Sequence, residues 1–473
     1  MEELLRFMVR QEASDLHIKA ARPPLLRVHG KLLPLKSDPL PPEAVQQLLL
    51  SLLDERQRQQ LETAFYVDLA YSLPGVSRFR ATIYQQRGNL SGVFRRVPFE
   101  FPTLDEWELP DSLKDLAHLP QGLVLVTGAT GSGKSSTLAA LIREIVDNRP
   151  VHVVTIEDPI EFLISDGHGN VSQREIGTDT RSFSEALRNT MRQDPDVIVI
   201  GEMRDAETIQ TAMTAAETGH LVLSTLHTNS AALTVDRIVS AFPEIHHRQI
   251  RTQLAAVLEG VICLKLVDRL DGSGMIAAVE IMKGSPRVRR LIMDGQLQDL
   301  QEEIERSVGF ERMQSMNQSL AALVINGAVT QERAMACTIT PADLDLLLRK
   351  TVGAPVPEKG AKEDDDMAVS PADFSNILRL QEVQKAYEEL QERHQRDVAE
   401  RDSLIVRLEA EVRGSEQTGS SVEGAFRSLT EEKDKLQRQI AFQKQEYESK
   451  VEKLQIRIRE LSSPALAGGG VRR

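Results

Sequence analysis

The sequence predicts an α/β protein built on a parallel sheet, with a small α+β domain before it and a helical tail after it. Three observations carry this. First, four short runs are apolar or β-branched almost throughout: Gly122 to Thr127, Val151 to Ile156, Val197 to Ile200 and Leu221 to Leu226. Runs apolar on both faces that alternate with helical stretches indicate parallel strands covered on both sides. Second, a glycine-rich turn follows the first run and opens a helix, from Ser135 to about Asp147. Third, the composition changes after residue 350, first to Gly, Pro and acids, then to long charged helical stretches.

The order along the chain follows from these signals. Residues 1–103 alternate short helical and strand-like runs. Leu25 to Val28 leads through His29-Gly30 to Lys31-Leu32, which reads as a hairpin with glycine at the turn. Pro39 to Glu43 opens a helix through about residue 60, and Ser77 to Tyr84 and Gly92 to Val97 read as strands. Phe101-Pro102-Thr103 and Leu109-Pro110-Asp111 mark a linker. Residues 104–350 hold the sheet and end in helices. Residues 351–370, with the run Asp364-Asp365-Asp366, read as a flexible acidic linker. Residues 371–473 read as a helical extension with helices at about 371–412 and 424–461, broken at Arg413 to Ser421. In the second helix Phe426, Leu429, Leu436, Ile440, Tyr447, Leu454 and Leu461 form a heptad seam interrupted by Lys433, Gln443, Lys450 and Arg457. Charges at seam positions suit a partner helix better than a long homodimeric rod. The tail is therefore expected to be dispensable for chemistry, with a cut after Lys350 tolerated.

Composition bounds the function. The chain has 473 residues and a net charge of −13, with aromatics at 4% and a single Trp107. Such a chain lacks the basic surface and the stacking platform of a general nucleic-acid binder. Two cysteines, Cys263 and Cys337, exclude a disulfide framework and a four-cysteine zinc site. No apolar run approaches the roughly 18–20 residues of a membrane span, and the first residues carry acids where a signal peptide wants positive charge. The expectation is a cytoplasmic protein without direct membrane insertion.

The chemistry-bearing residues begin at Gly128-Ala129-Thr130-Gly131-Ser132-Gly133-Lys134-Ser135, which matches GxxxxGK[ST] and is followed by Ser136. Chance produces this pattern in about one chain of this length in a hundred. Its glycines let backbone N–H groups face phosphates at a helix N-terminus. Lys134 supplies charge to the β- and γ-phosphates of ATP, and Ser135 a hydroxyl to Mg²⁺. Glu202, just past the strand Val197 to Ile200, is the second acid that holds Mg²⁺. Glu157, Asp158 and Glu161 follow another strand, and one of them can orient or deprotonate water. The residues alone leave open which one, and Glu157 and Asp158 can equally serve backbone donors at the strand end. His227 ends a further strand, where it can sense γ-phosphate or be purely structural. Zinc held by His220 and His227 would lack further ligands.

These elements, in this order, resemble the ATPases of type II secretion and type IV pili, and within that superfamily the pilus-retraction branch. The likeness covers residues 1 to about 345. Ser14-Asp15-Leu16-His17 resembles the family's N-terminal signature, and Glu157 to Glu161 its Asp box. Gly201 to Asp205 resembles its Walker B segment, and Thr214 to His220 with Thr225 to Thr228 its His box. Ile281-Met282 through Pro286 to Ile292 resembles its retraction motif, with Arg290 where Asn is usual. The resemblance implies a RecA-like core, a PAS-like N-terminal domain, and a homo-hexamer with ATP between subunits. It implies that Glu161 activates water and that His220 and His227 lie near the nucleotide. It implies that Arg80 and Arg95 reach ATP from the small domain, where residue type alone gives only arginines on solvated strands. The partners implied are an inner-membrane pilus platform protein, which would place the enzyme peripherally at that membrane, and a coiled-coil mate for the tail. An assembly or secretion ATPase is the alternative of the same chemistry. A nucleotide-binding regulatory paralogue is another, and a DNA-translocating motor is disfavoured by the charge.

Overall fold

The computed structural model describes residues 1–416 except 29, 99–100 and 352–369, with isolated positions further on. The chain divides into two compact units. The first comprises residues 1–107, 111–266 and 279–304, and the second residues 108–110, 267–278 and those from 305 onward.

The first unit starts with the small α+β domain: α1 (Glu2–Arg10), β1 (Asp15–Lys19), β2 (Leu25–Val28), β3 (Lys31–Pro34), α2 (Pro42–Leu50), α3 (Glu55–Ala64), β4 (Tyr66–Leu73), β5 (Ser77–Gln86) and β6 (Asn89–Val97). Its six strands pair antiparallel in the order β3-β2-β1-β6-β5-β4. The hairpin between β2 and β3 turns on Gly30 at φ +79°, a conformation that costs glycine nothing. Leu5, Met8, Leu16, Leu49, Phe79 and Phe94 are fully buried against one face of this sheet. Because side chains alternate across a strand, burying Phe79, Ala81 and Ile83 turns Arg78, Arg80 and Thr82 to the other face. The single helix expected from Pro39 to residue 60 is two. Asp54 accepts from the Gln57 amide at 2.7 Å while the Gln57 side chain accepts from the Asp54 amide, and this capping box starts α3 afresh.

The chain goes on, for the most part within the first unit, through α4 (Ser112–Ala117), β7 (Gly122–Gly128), α5 (Lys134–Asn148), β8 (His152–Glu157), β9 (Asn170–Glu175), α6 (Phe183–Thr190), β10 (Val197–Ile200), α7 (Ala206–Glu217), β11 (Leu221–Leu226), α8 (Ala231–Ser240), α9 (His247–Val257), β12 (Leu258–Asp268), β13 (Met275–Lys283), α10 (Pro286–Asp294) and α11 (Asp299–Arg306). The sheet order is β13-β12-β7-β11-β10-β8-β9. The pairs from β12 to β9 are all parallel, so the C-terminal ends of β7, β11, β10 and β8 share one edge. Every residue of β7, β10 and β11 is buried, which is why these strands are apolar on both faces.

The second unit holds α12 (Met316–Ile325), α13 (Gln331–Cys337), α14 (Pro341–Thr351) and α15 (Phe374–Glu416). Its core joins Leu320, Leu323, Leu344 and Leu348 to Ala372, Phe374 and Ile377. Gln314 donates to the Ala372 carbonyl at 3.0 Å and accepts from the Phe374 amide at 3.0 Å, and Ser319 also donates to Ala372. The boundary drawn at 370 in the sequence therefore misplaces residues 370–377. They complete a helical core that would otherwise lie open, whereas no described residue of α15 beyond Ile377 is buried. The expected second helix at 424–461, its seam, and most of the linker at 351–370 lie outside the described residues. Among the described residues no helix is long and apolar enough to cross a membrane.

This packing changes the expected result of truncation. A chain cut after Lys350 loses Phe374 and Ile377 from the core, each contributing about 2 kcal/mol of burial. It should melt measurably lower than a chain cut after Arg379, which should match the full chain in thermal unfolding.

Candidate nucleotide site

The loop at the end of β7 is shaped by Gly128. Its φ is +143°, and a Cβ there would stand 2.4 Å from Ser132 Oγ and 2.6 Å from the Leu264 carbonyl oxygen. No other residue fits. Lys134, the first residue of α5, folds back so that Nζ donates to the carbonyls of Gly128 at 3.0 Å and Ala129 at 2.9 Å. Burial lowers the Lys134 ammonium's pKa, and the charges of Glu161 and Glu202 act against that fall. Ser132 Oγ is buried without a hydrogen-bond partner, a donor that a phosphate oxygen would satisfy. Ser135 and Ser136 lie in the first turn of α5, partly exposed.

The neighbouring strand ends bring up the other groups. Glu202 follows β10, largely buried, with Oε1 2.7 Å from Arg204 Nη2 and Oε2 3.7 Å from His227 Nε2. His227 follows β11, which lies between β7 and β10, so its place between the loop and Glu202 is a matter of topology. Thr225 Oγ1 fixes the turn before Glu202 by donating to the Gly201 carbonyl at 2.6 Å. Glu157, the last residue of β8, is half-buried. Burial pushes its carboxyl up, opposed by hydrogen bonds from Thr155 Oγ1 and Gln173 Nε2. Glu161 is exposed on the loop that follows. Of the three acids at the end of β8 and just past it, Glu157 is thus occupied by its own hydrogen bonds, while Glu161 faces solvent.

Two expected groups stand away from this cluster. His220 precedes β11, whereas the loop lies past the C-terminal ends of the strands. Seven steps at about 3.3 Å each put roughly 23 Å between His220 and His227. His220 Nδ1 instead lies 2.9 Å from the Ala215 carbonyl at the end of α7. It does not join the site, and the two histidines share no metal. Among the described residues no three His, Cys, Asp or Glu side chains group as metal ligands. Arg80 and Arg95 are register partners on β5 and β6, both exposed on the outer face of the small sheet. Arg95 Nε donates to Asp15 Oδ1 at 2.9 Å, and Arg27 approaches the other oxygen at 3.5 Å.

Sequence reasoning missed three functional neighbours. Arg204, on Glu202, lies inside the Walker B segment without having been singled out. Gln173 and Glu175 lie on β9, which the sequence reading omitted altogether. Their signal is weak, because Asn170 to Glu175 is an edge strand of mostly polar residues.

The fold and its loop define a P-loop nucleotide-binding protein. The chain belongs to the type II/IV secretion system protein family, whose model matches residues 104–341. Among its relatives, a Pseudomonas aeruginosa protein named type IV pilus retractation ATPase PilT is 42% identical over 332 residues, 70% of this chain and 96% of that one. The type IV pilus ATPase PilU of the same organism is 40% identical over 348 residues, 74% of this chain and 91% of that one. A crystal structure described as the pilus retraction motor PilT with bound ADP has a TM-score of 0.68 and 41% identity, covering 73% of this chain and 98% of that one.

Asp15 generates a pH prediction. Burial acts to raise its carboxyl, but hydrogen bonds from Arg95 and Ser14 and the charges of Arg95 and Arg27 outweigh it, so its pKa lies below the ordinary 3.8. A depressed carboxylate stabilises the fold above its unfolded pKa and loses that contribution as pH falls through the folded value. Asp15→Asn should therefore cost about 1–2 kcal/mol at pH 7, with the gap to wild type closing below about pH 3.8 in chemical denaturation.

Proposed function

We propose that the chain is an ATPase whose hydrolysis drives retraction of type IV pili. The observation that carries this reading is the loop itself: Gly128 has no room for a side chain, Lys134 folds back onto the Gly128 and Ala129 carbonyls, and Ser132 Oγ is buried without a hydrogen-bond partner. Names of relatives that this chain spans nearly end to end support the output. In this reading the backbone of Gly128 to Gly133 and the ammonium of Lys134 hold the phosphates of ATP. Ser135 and Glu202 offer a hydroxyl and a carboxylate, hard oxygen donors that suit Mg²⁺. That ion, when bound, neutralises charge on the phosphates. Glu161 accepts a proton from the attacking water, a role that Glu157, half-buried and bonded to Thr155 and Gln173, is poorly placed to take. His227 sits between the loop and Glu202 and relays the state of the γ-phosphate through that contact.

Arg80 and Arg95 act across a subunit boundary. They lie on the small domain's outer face, and hydrolysis needs positive charge on the γ-phosphate. A neighbour in a ring, most simply a homo-hexamer, supplies it. Hydrolysis then depends on where the neighbour stands, which is the requirement for a motor. The enzyme works peripherally at the inner membrane through a pilus platform protein. The part of the tail beyond α15's packed start takes a helical partner. The nearly equal match to the PilU relative favours one second reading, an accessory paralogue beside a principal retraction motor. Complementation of retraction in a strain lacking its own motor separates the two.

Lys134→Ala and Glu161→Gln should fail differently. The first removes charge from the phosphates, so nucleotide affinity should fall at least tenfold. The second should keep affinity within about twofold and cut Mg²⁺-dependent turnover a hundredfold or more. A Glu161→Gln protein with wild-type turnover would reassign the base.

A further inference from the structure

The loop that carries Glu161 is held from two sides. On one side lies β9, in parallel register with β8 so that Thr155 faces Gln173 and Glu157 faces Glu175. Gln173 and Glu175 are two residues apart and so share a face of the strand. Gln173 Nε2 donates to Glu157 Oε1 at 3.0 Å and to the Phe162 carbonyl at 2.9 Å, and its Oε1 accepts from the Ile164 amide at 2.9 Å. Glu175 Oε2 accepts from the Ile160 amide at 3.2 Å. The backbone is thus pinned immediately before and immediately after Glu161, leaving the Glu161 side chain as the free element of a fixed turn.

On the other side stands the small domain. Arg78 Nη2 reaches Glu175 Oε2 at 3.1 Å, with both side chains largely out of solvent. The Leu163 amide donates to the Pro98 carbonyl, just past β6, at 3.2 Å. The Phe101 and Phe162 rings pack at 5.3 Å between centroids. The same oxygen of Glu175 therefore serves the Ile160 amide and the guanidinium of a different domain. A buried carboxylate that loses its cation is strongly destabilised, so the Ile160 contact depends on Arg78 being in place.

We infer that Gln173 and Glu175 are positioning residues for Glu161, and that the Arg78–Glu175 ion pair makes that positioning depend on how the small domain is seated on its own ATPase core. The inference rests on the reading of Glu161 as base. It gives domain motion a route to the hydrolytic group within one subunit. A shift of β5 draws Arg78 from Glu175 and loosens the turn before Glu161, while the phosphate-binding loop on β7, two strands beyond β10, keeps its own contacts.

Steady-state ATPase kinetics and fluorescent-ADP binding on the full chain test it. Glu175→Gln keeps an oxygen for the Ile160 amide but loses the charge that holds Arg78. It should lower kcat about 10- to 100-fold with KM and ADP affinity within twofold. Arg78→Gln should do the same, Arg78→Lys should retain most of kcat, and the double variant Arg78→Gln/Glu175→Gln should be no slower than the worse single one. If Glu175→Gln does not fold, the Arg78 series decides alone. With Glu161→Gln inactive, a kcat within twofold of wild type for Arg78→Gln, or additive losses in the double variant, would overturn the inference. If instead Glu161→Gln turns over normally, it is the assignment of the base that fails.

Discussion

A buried ammonium is the constraint around which the core is arranged. Lys134 must lie back along its own loop to reach phosphates, and there it is stripped of water. Two carbonyls of the loop accept hydrogen bonds from it, and the charges of Glu161 and Glu202 oppose the fall in its pKa that burial causes. Those acids can approach only because parallel strands end on one edge of the sheet. The apolar character of β7, β10 and β11 follows from the same demand, since a sheet that presents all its active ends on one side must be covered on both faces.

The parts legible in the sequence are those where one pressure dominates. Full burial writes Val197 to Ile200 and Leu221 to Leu226 as uninterrupted apolar runs, and both strands lie where the pattern puts them. The glycines of the loop are legible because Gly128 has no room for a side chain. The parts that were not legible answer to several pressures at once. β9 sits at the sheet edge and carries Gln173 and Glu175 for their hydrogen bonds, so no periodicity marks it. His220 and His227 look alike in a stretch eight residues long, but a strand between them places them at opposite edges. Residues 370–377 follow a long polar stretch and resemble the charged helix they begin, yet Phe374 and Ile377 are core.

The small domain is more than an appendage. Its outer face carries Arg80 beside Arg95, which is held by Asp15, and Arg78 on that same face, with Pro98 just past β6, meets the loop of Glu161. The Ser14-Asp15-Leu16-His17 signature thus has a physical reading: Asp15 is a buried carboxylate that fixes two arginines on neighbouring strands. In the function proposed for this chain, one domain so placed would act on its own subunit's base and on a neighbour's nucleotide, and a ring of such subunits would couple each hydrolysis to the position of the next.

The structure of the assembled protein with a non-hydrolysable ATP analogue and Mg²⁺ tests this account most directly. The account predicts Glu161 facing the γ-phosphate held by Lys134, with Arg80 and Arg95 of the adjacent subunit on the same phosphate. A γ-phosphate met by Glu157 instead, or by no arginine from a neighbouring subunit, would contradict it.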